Sequence, residues 1–125
     1  PDSIIRAQRF RISLTPAAFT QQLASARTFV LKSEADQMLS AGIGQRVSTQ
    51  DLIVFGDHGP IDTELRFEDE CVRHKTLDMV GDLALSGIDL IGEFEAYRTG
   101  HRLNAELVRE LLAVHQLPVG MAACA

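Results

Sequence analysis

Leu65-Arg66-Phe67-Glu68-Asp69-Glu70-Cys71-Val72-Arg73-His74-Lys75-Thr76-Leu77-Asp78-Met79-Val80-Gly81-Asp82-Leu83 reads as the body of one long helix, about residues 66–85, with Gly87 placed to stop it. At 100° per residue, Val72, Thr76, Leu77, Met79, Val80, Leu83 and Ala84 share a broad arc, the expected core face. His74, Lys75, Asp78 and Asp82 lie on the opposite arc, with Cys71 among them. An apolar face of that width has to be buried against another layer, so the flanking segments decide the fold class.

Working outward, Phe10, Ile12 and Leu14 alternate with Arg9, Arg11 and Ser13, which predicts a half-buried strand. Thr15-Pro16 supplies an N-cap followed by proline at the first helical position, and Phe19 and Leu23 share a face of that short helix. Residues 27–31 read as a strand, Ser33 as the cap of a second short helix ending near Gly42, and residues 47–55 as β-rich. Gly56-Asp57-His58-Gly59-Pro60 is dense turn chemistry. Beyond the long helix, residues 88–97 read as a strand, Thr99 as a cap, and residues 101–115 as a last helix before a loose tail over residues 118–125. Strands and helices mix without regular alternation. The expectation is an α+β two-layer sandwich, with a mixed or antiparallel sheet and helices on one face.

The 125 residues suit a single domain, and 46% hydrophobic with 23% charged residues is ordinary globular composition. A net charge of −5 argues against nucleic acid as a partner. No apolar run is long enough for a transmembrane segment, and no signal peptide is visible. The first residue is Pro1, as in a processed product or a piece of a longer chain. The two cysteines, Cys71 and Cys124, are expected as unpaired thiols in a reducing cytoplasm.

His74 and Asp78 are an i, i+4 pair whose side chains converge one turn apart. Imidazole plus carboxylate suits zinc, but a catalytic zinc usually takes three protein ligands and an open position, and the helix offers two. The competing reading is a surface ion pair worth a few tenths of a kcal/mol. Gly81 costs roughly 1 kcal/mol against alanine in mid-helix, which suggests a close neighbour there. Asp82 lies one turn farther, placed to orient His101 beyond Gly100, and such a pair would hold an imidazolium able to act as general acid. The alternative is a solvated histidine at a helix start.

The quoted run closely resembles the signature helix of the UDP-3-O-acyl-N-acetylglucosamine deacetylase family, called LpxC. Ala26-Arg27-Thr28-Phe29 resembles the family's segment beside the metal, Ile91-Gly92-Glu93-Phe94-Glu95-Ala96-Tyr97-Arg98-Thr99-Gly100-His101 its strand and glycine–histidine turn, and Asn104 with the following leucines its final helix. The resemblance covers most of residues 10–112, in family order. It implies that this chain corresponds to the C-terminal half of a zinc-dependent deacetylase of lipid A synthesis acting on UDP-3-O-acyl-N-acetylglucosamine. It further implies His74 and Asp78 as zinc ligands, Lys75 near the substrate and the reacting carbonyl, and His101 as general acid to the leaving amine with Asp82 orienting it. Thr28 would donate to the developing oxyanion. Arg98 stands where the family usually has a phosphate-contacting lysine, which keeps the charge but changes the hydrogen-bonding geometry. Residues 29–47, starting with Phe29, correspond to a small βαβ-like insert that forms a passage for the acyl chain; Val30, Leu31, Met38, Leu39, Ile43 and Val47 either line it or pack its own core.

The family's third ligand, a histidine, and the adjacent glutamate that serves as general base belong to its N-terminal half, and no equivalent Glu-His pair occurs here. The chain is therefore expected to hold the acid side of the site, to need the N-terminal half as partner, and to be inactive alone. Two other readings stand beside this one. The chain could be a non-catalytic half-domain that binds a nucleotide sugar or metal, with Lys75 and Arg98 serving equally well. Or it could be a divergent hydrolase that completes its site with His58 or His115.

Overall fold

The structure, a computed structural model, describes residues 4–114. They form two compact units, one reaching to His74 and one beginning at Lys75, so the division falls inside a helix.

In the first unit, α1 spans Pro16–Gln22, and Thr15 caps it by accepting the Ala18 N–H on its hydroxyl oxygen at 3.1 Å. A sheet follows, made of β1 (Thr28–Leu31), β2 (Leu52–Gly56) and β3 (Gly59–Pro60), with α2 (Lys32–Ser40) between the first two strands. β1 and β2 are parallel, in register from Thr28–Leu52 to Leu31–Phe55, and α2 packs on both as the crossover that a parallel pair requires. β2 and β3 form an antiparallel hairpin around Asp57 and His58. The sheet is thus mixed and the fold is α+β, as the sequence predicts. Glu34, rather than the predicted Ser33, closes the first turn of α2 by accepting the Leu31 N–H at 3.0 Å.

Alternation in β2 puts Ile53 and Phe55 on one face, where they and Cys71 form a buried cluster joined by Ile5, Phe29 and Leu65. Cys71 therefore belongs to the core, not to the polar arc assigned to it from the helical wheel. Its thiol packs as a small apolar group.

The element that fixes this unit is ionic. Arg27 and Glu70 are buried, with their side chains 4% and 0% exposed. The Arg27 Nε and backbone N–H both donate to Glu70 Oε1, at 3.0 and 2.9 Å, and Nη2 donates to Oε2 at 3.1 Å. Nη1 donates to the Thr49 carbonyl and the Thr63 hydroxyl, both at 2.8 Å, and Nη2 also reaches the Glu64 carbonyl at 2.7 Å. Every guanidinium N–H thereby has an acceptor, which is the condition under which a buried charge is tolerated. Among the described residues no buried side-chain nitrogen or oxygen lacks a hydrogen-bond partner.

Glu70 also explains where the long helix starts. Its Oε2 accepts the Arg66 N–H at 2.7 Å, which holds residues 66–69 in a turn, so α3 runs Glu70–Ala84 instead of beginning near residue 66. Phe10 is not in a strand. Its ring lies 4.4 Å from the Arg73 guanidinium, which meets the Phe67 ring at the same distance. Arg73 is also held by Asp69 and by the Gln22 carbonyl.

The second unit contains the rest of α3 and α4, His101–Val114. Gly87, at φ 69, adopts the left-handed conformation that ends α3. The strand predicted over residues 88–97 is absent; Ile91 is fully exposed and Tyr97 80% exposed. A strand-like composition is not enough, because a strand also needs a neighbour's backbone donors and acceptors. Gly81 is exposed, and a Cβ there would meet none of the described residues, so the neighbour its position suggested is not among them. The predicted tail, Cys124 and His115 lie outside the described residues. No helix among the described residues is long and apolar enough to cross a membrane.

Burial opposes ionisation of Glu70, but the hydrogen bonds from the Arg27 side chain and the Arg27 and Arg66 N–H groups, with the guanidinium charge, prevail and hold its carboxyl below the ordinary 4.5. A depressed folded-state value contributes stability that is complete above about pH 4.5 and is lost as the pH falls below it. Glu70→Gln should cost about 3–5 kcal/mol at pH 7 by leaving a buried cation unpaired. The gap between parent and variant should narrow as acid protonates the parent's carboxyl, as read from urea midpoints across that pH range.

Candidate active site

In the first unit, the tie between Arg27 and Glu70 sets residues 26–29 against the start of α3. His74 Nδ1 lies 3.1 Å from the Ala26 carbonyl oxygen. A carbonyl can only accept, so Nδ1 carries the proton, and in the neutral ring Nε2 carries the lone pair that a cation would take. The His74 ring stands edge-on to Phe29, with centroids 6.4 Å apart. Metal-binding histidines are commonly oriented by such an outer contact. Thr28 is exposed at the first position of β1, and strand alternation puts it on the face opposite Phe29. His58 is exposed in the β2–β3 turn.

Asp78 follows His74 by one turn of α3 and is the first acidic group of the second unit's cluster. Its Oδ2 accepts from Lys75 Nζ at 3.2 Å and lies 4.0 Å from His101 Nε2. The predicted Asp82–His101 pair is present: His101 Nδ1 lies 2.9 and 3.1 Å from the two carboxylate oxygens. Burial works against the Asp82 charge, but hydrogen bonds from Asn104 and His101, with the charges of His101 and Lys75, outweigh it and keep the carboxyl below its ordinary value. An ionised carboxylate can only accept, so His101 Nδ1 is the donor and Nε2 is the ring atom left for proton transfer.

Sequence reasoning missed Asn104 as a site residue. It is 4% exposed and donates from Nδ2 to Asp82 Oδ2 at 2.8 Å. Its i, i+3 spacing from His101 on α4 was the available signal. Thr99, predicted as a helix cap, gives its hydroxyl proton to Asn104 Oδ1 at 2.5 Å.

Residues 98–103, His101 among them, line an open cleft of about 340 Å³. Arg98 sits there in the left-handed region, at φ 50, with its guanidinium 5.3 Å from the Tyr97 ring centroid. For a residue other than glycine that conformation is sparsely populated and clusters at functional sites.

Imidazole nitrogen and carboxylate oxygen are the donor types of a zinc centre, and the Ala26 carbonyl orients the His74 ring in the way that carbonyls orient metal-binding histidines. Among the described residues, no three His, Cys, Asp or Glu side chains converge as a complete site. Cys71 is no candidate nucleophile: burial, reinforced by the Glu70 charge, pushes its thiol up to about 11.

A family model described as UDP-3-O-acyl N-acetylglycosamine deacetylase matches residues 1–113. Proteins named UDP-3-O-acyl-N-acetylglucosamine deacetylase from Brucella ovis, Brucella canis and Brucella melitensis are each 44% identical to this chain over 112 residues, covering 88% of it. The chain spans only 39% of the length of these relatives.

With its thiol at about 11, Cys71 should resist alkylation at pH 8–9 in the folded chain and react promptly after urea unfolding. Mass-spectrometric labelling of that residue checks this; equal rates in both states would contradict the burial account.

Proposed function

The chain belongs to the UDP-3-O-acyl-N-acetylglucosamine deacetylase family, and from that premise we propose that it supplies the acid side and part of the metal site of a zinc-dependent amide hydrolysis. The substrate is UDP-3-O-acyl-N-acetylglucosamine, and the setting is lipid A synthesis in the cytoplasm. The observation that carries this reading is the Asp82–His101 pair, which presents Nε2 of an oriented imidazole beside Asp78.

His74 and Asp78 are the chain's zinc ligands. Zinc bound there supplies Lewis-acid chemistry toward the acetyl carbonyl and lowers the pKa of water. In the overall reaction, water oxygen adds to the acetyl carbon, the C–N bond breaks, and acetate and the free amine result. His101 gives its Nε2 proton to the leaving glucosamine nitrogen, and the Asp82 carboxylate, fixed on Nδ1, offsets the imidazolium charge. Lys75 holds the substrate near the reacting carbonyl, and Thr28 donates to the developing oxyanion. Arg98 pairs with nucleotide phosphate. Phe29 begins the insert over residues 29–47, whose exposed Leu39, Ile43 and Val47 offer apolar surface to the acyl chain. The third zinc ligand and the general base are assigned to the part of the relatives that this chain does not span.

The test combines the pure chain with a polypeptide covering that remaining part of a relative and follows acetate release. Activity should require both pieces, and His101→Ala should lower turnover by roughly 10²–10⁴-fold, the range for a general acid. Zinc-dependent release by the 125-residue chain alone would refute the division of the site. Near-normal turnover in His101→Ala would remove that residue as the acid.

A further inference from the structure

The Asp82 carboxylate does more than meet His101. Its Oδ2 accepts two hydrogen bonds, from His101 Nδ1 at 2.9 Å and from Asn104 Nδ2 at 2.8 Å. Asp82 lies on α3, and both donors lie on α4, three positions apart and so on one face. Asn104 is buried, while the His101 side chain is 69% exposed. The buried amide is the steadier of the two holds on the carboxylate.

The polarity of this chain of bonds is determined throughout. Ionised Asp82 has only acceptors, so the amide must turn its NH₂ toward it. Oδ1 of Asn104 then faces Thr99, and since Oδ1 is an acceptor, the Thr99 hydroxyl must give it a proton, at 2.5 Å. A flipped amide would set Oδ1 against the carboxylate and NH₂ against the hydroxyl, losing the Asp82 bond. The Asp82 carboxylate therefore selects the amide orientation, and the Thr99 hydroxyl, by donating to Oδ1, anchors the amide in it.

We infer that Asn104, itself anchored by Thr99, is a positioning residue that fixes the Asp82 carboxylate and thereby holds His101 in the tautomer with the proton on Nδ1. An exposed neutral imidazole otherwise has both tautomers available, and only the Nδ1–H form leaves the Nε2 lone pair to take up the proton that the acid role passes on. The positioning stands on geometry; its bearing on catalysis rests on the proposed acid role of His101.

The test is ¹⁵N NMR of the labelled chain at a pH where the His101 ring is neutral, comparing the parent with Asn104→Ala, Thr99→Val and Thr99→Ser. The parent should be the Nδ1–H form. Asn104→Ala should shift the tautomer ratio toward Nε2–H by roughly fivefold, the equivalent of one net hydrogen bond. Thr99→Val should shift it less in the same direction, and Thr99→Ser should restore the parent ratio. An unchanged ratio in both Asn104→Ala and Thr99→Val overturns the inference; should circular dichroism show that Asn104→Ala does not fold, the two Thr99 variants decide alone. Turnover with the complementary polypeptide separates the two layers of the account. A shifted tautomer with lower turnover and unaltered KM supports both. A shifted tautomer with unaltered turnover supports the positioning and shows that turnover does not depend on it. Lower turnover with an unshifted tautomer overturns the inference.

Discussion

The buried pair Arg27–Glu70 is the constraint on which the first unit depends. A buried charge pair is tolerated only when its hydrogen-bonding capacity is filled. Filling it draws in the backbone of Thr49 and Glu64, the hydroxyl of Thr63 and the N–H groups of Arg27 and Arg66. These contacts fix the entry to β1, the approach to β2 and the first residue of α3 relative to one another. The apolar cluster of Ile53, Phe55 and Cys71 is small, and the ionic tie gives it a defined frame. The functional consequence is local: the carbonyl of Ala26, next to Arg27, meets His74, four residues after Glu70, and sets which ring nitrogen is left as an acceptor.

The second unit obeys a related rule in a more open setting. Asp82 stays ionised because donors from α4 outweigh its desolvation, and an ionised acceptor dictates the proton positions on His101, Asn104 and Thr99. Lys75 and Asp78 stand next to this group on the same stretch of α3. One carboxylate thus organises the proposed acid chemistry. The relatives extend well beyond the part that this chain spans, which is where the account assigns the remaining ligand and base.

Much of this was legible in the sequence, for identifiable reasons. Thr15-Pro16 specifies a helix start through local chemistry alone, and the structure places α1 there. Asp82 and His101 could be paired because helical spacing and a glycine turn constrain where both side chains go. Other features depended on long-range contacts that no local pattern encodes. Residues 10–14 alternate and residues 88–97 read as a strand, but neither segment is one, because a local pattern does not provide a ladder partner. Cys71 faces the core because Glu70, its neighbour, is drawn inward by Arg27 from 43 positions away. Asn104 reads only as part of the final helix that carries the resemblance, without a role, since its role depends on Thr99 and Asp82 being brought to it.

The most direct test of the central claim, that α3 carries two ligands of a shared zinc centre, is a zinc titration of the metal-free chain by calorimetry, with His74→Ala and Asp78→Ala as controls. The account predicts weak binding by the chain alone, weakened further by either substitution and strengthened when a polypeptide covering the rest of the family sequence is added. Tight, stoichiometric zinc binding that neither substitution disturbs would contradict it, because the metal would then be held by groups other than His74 and Asp78.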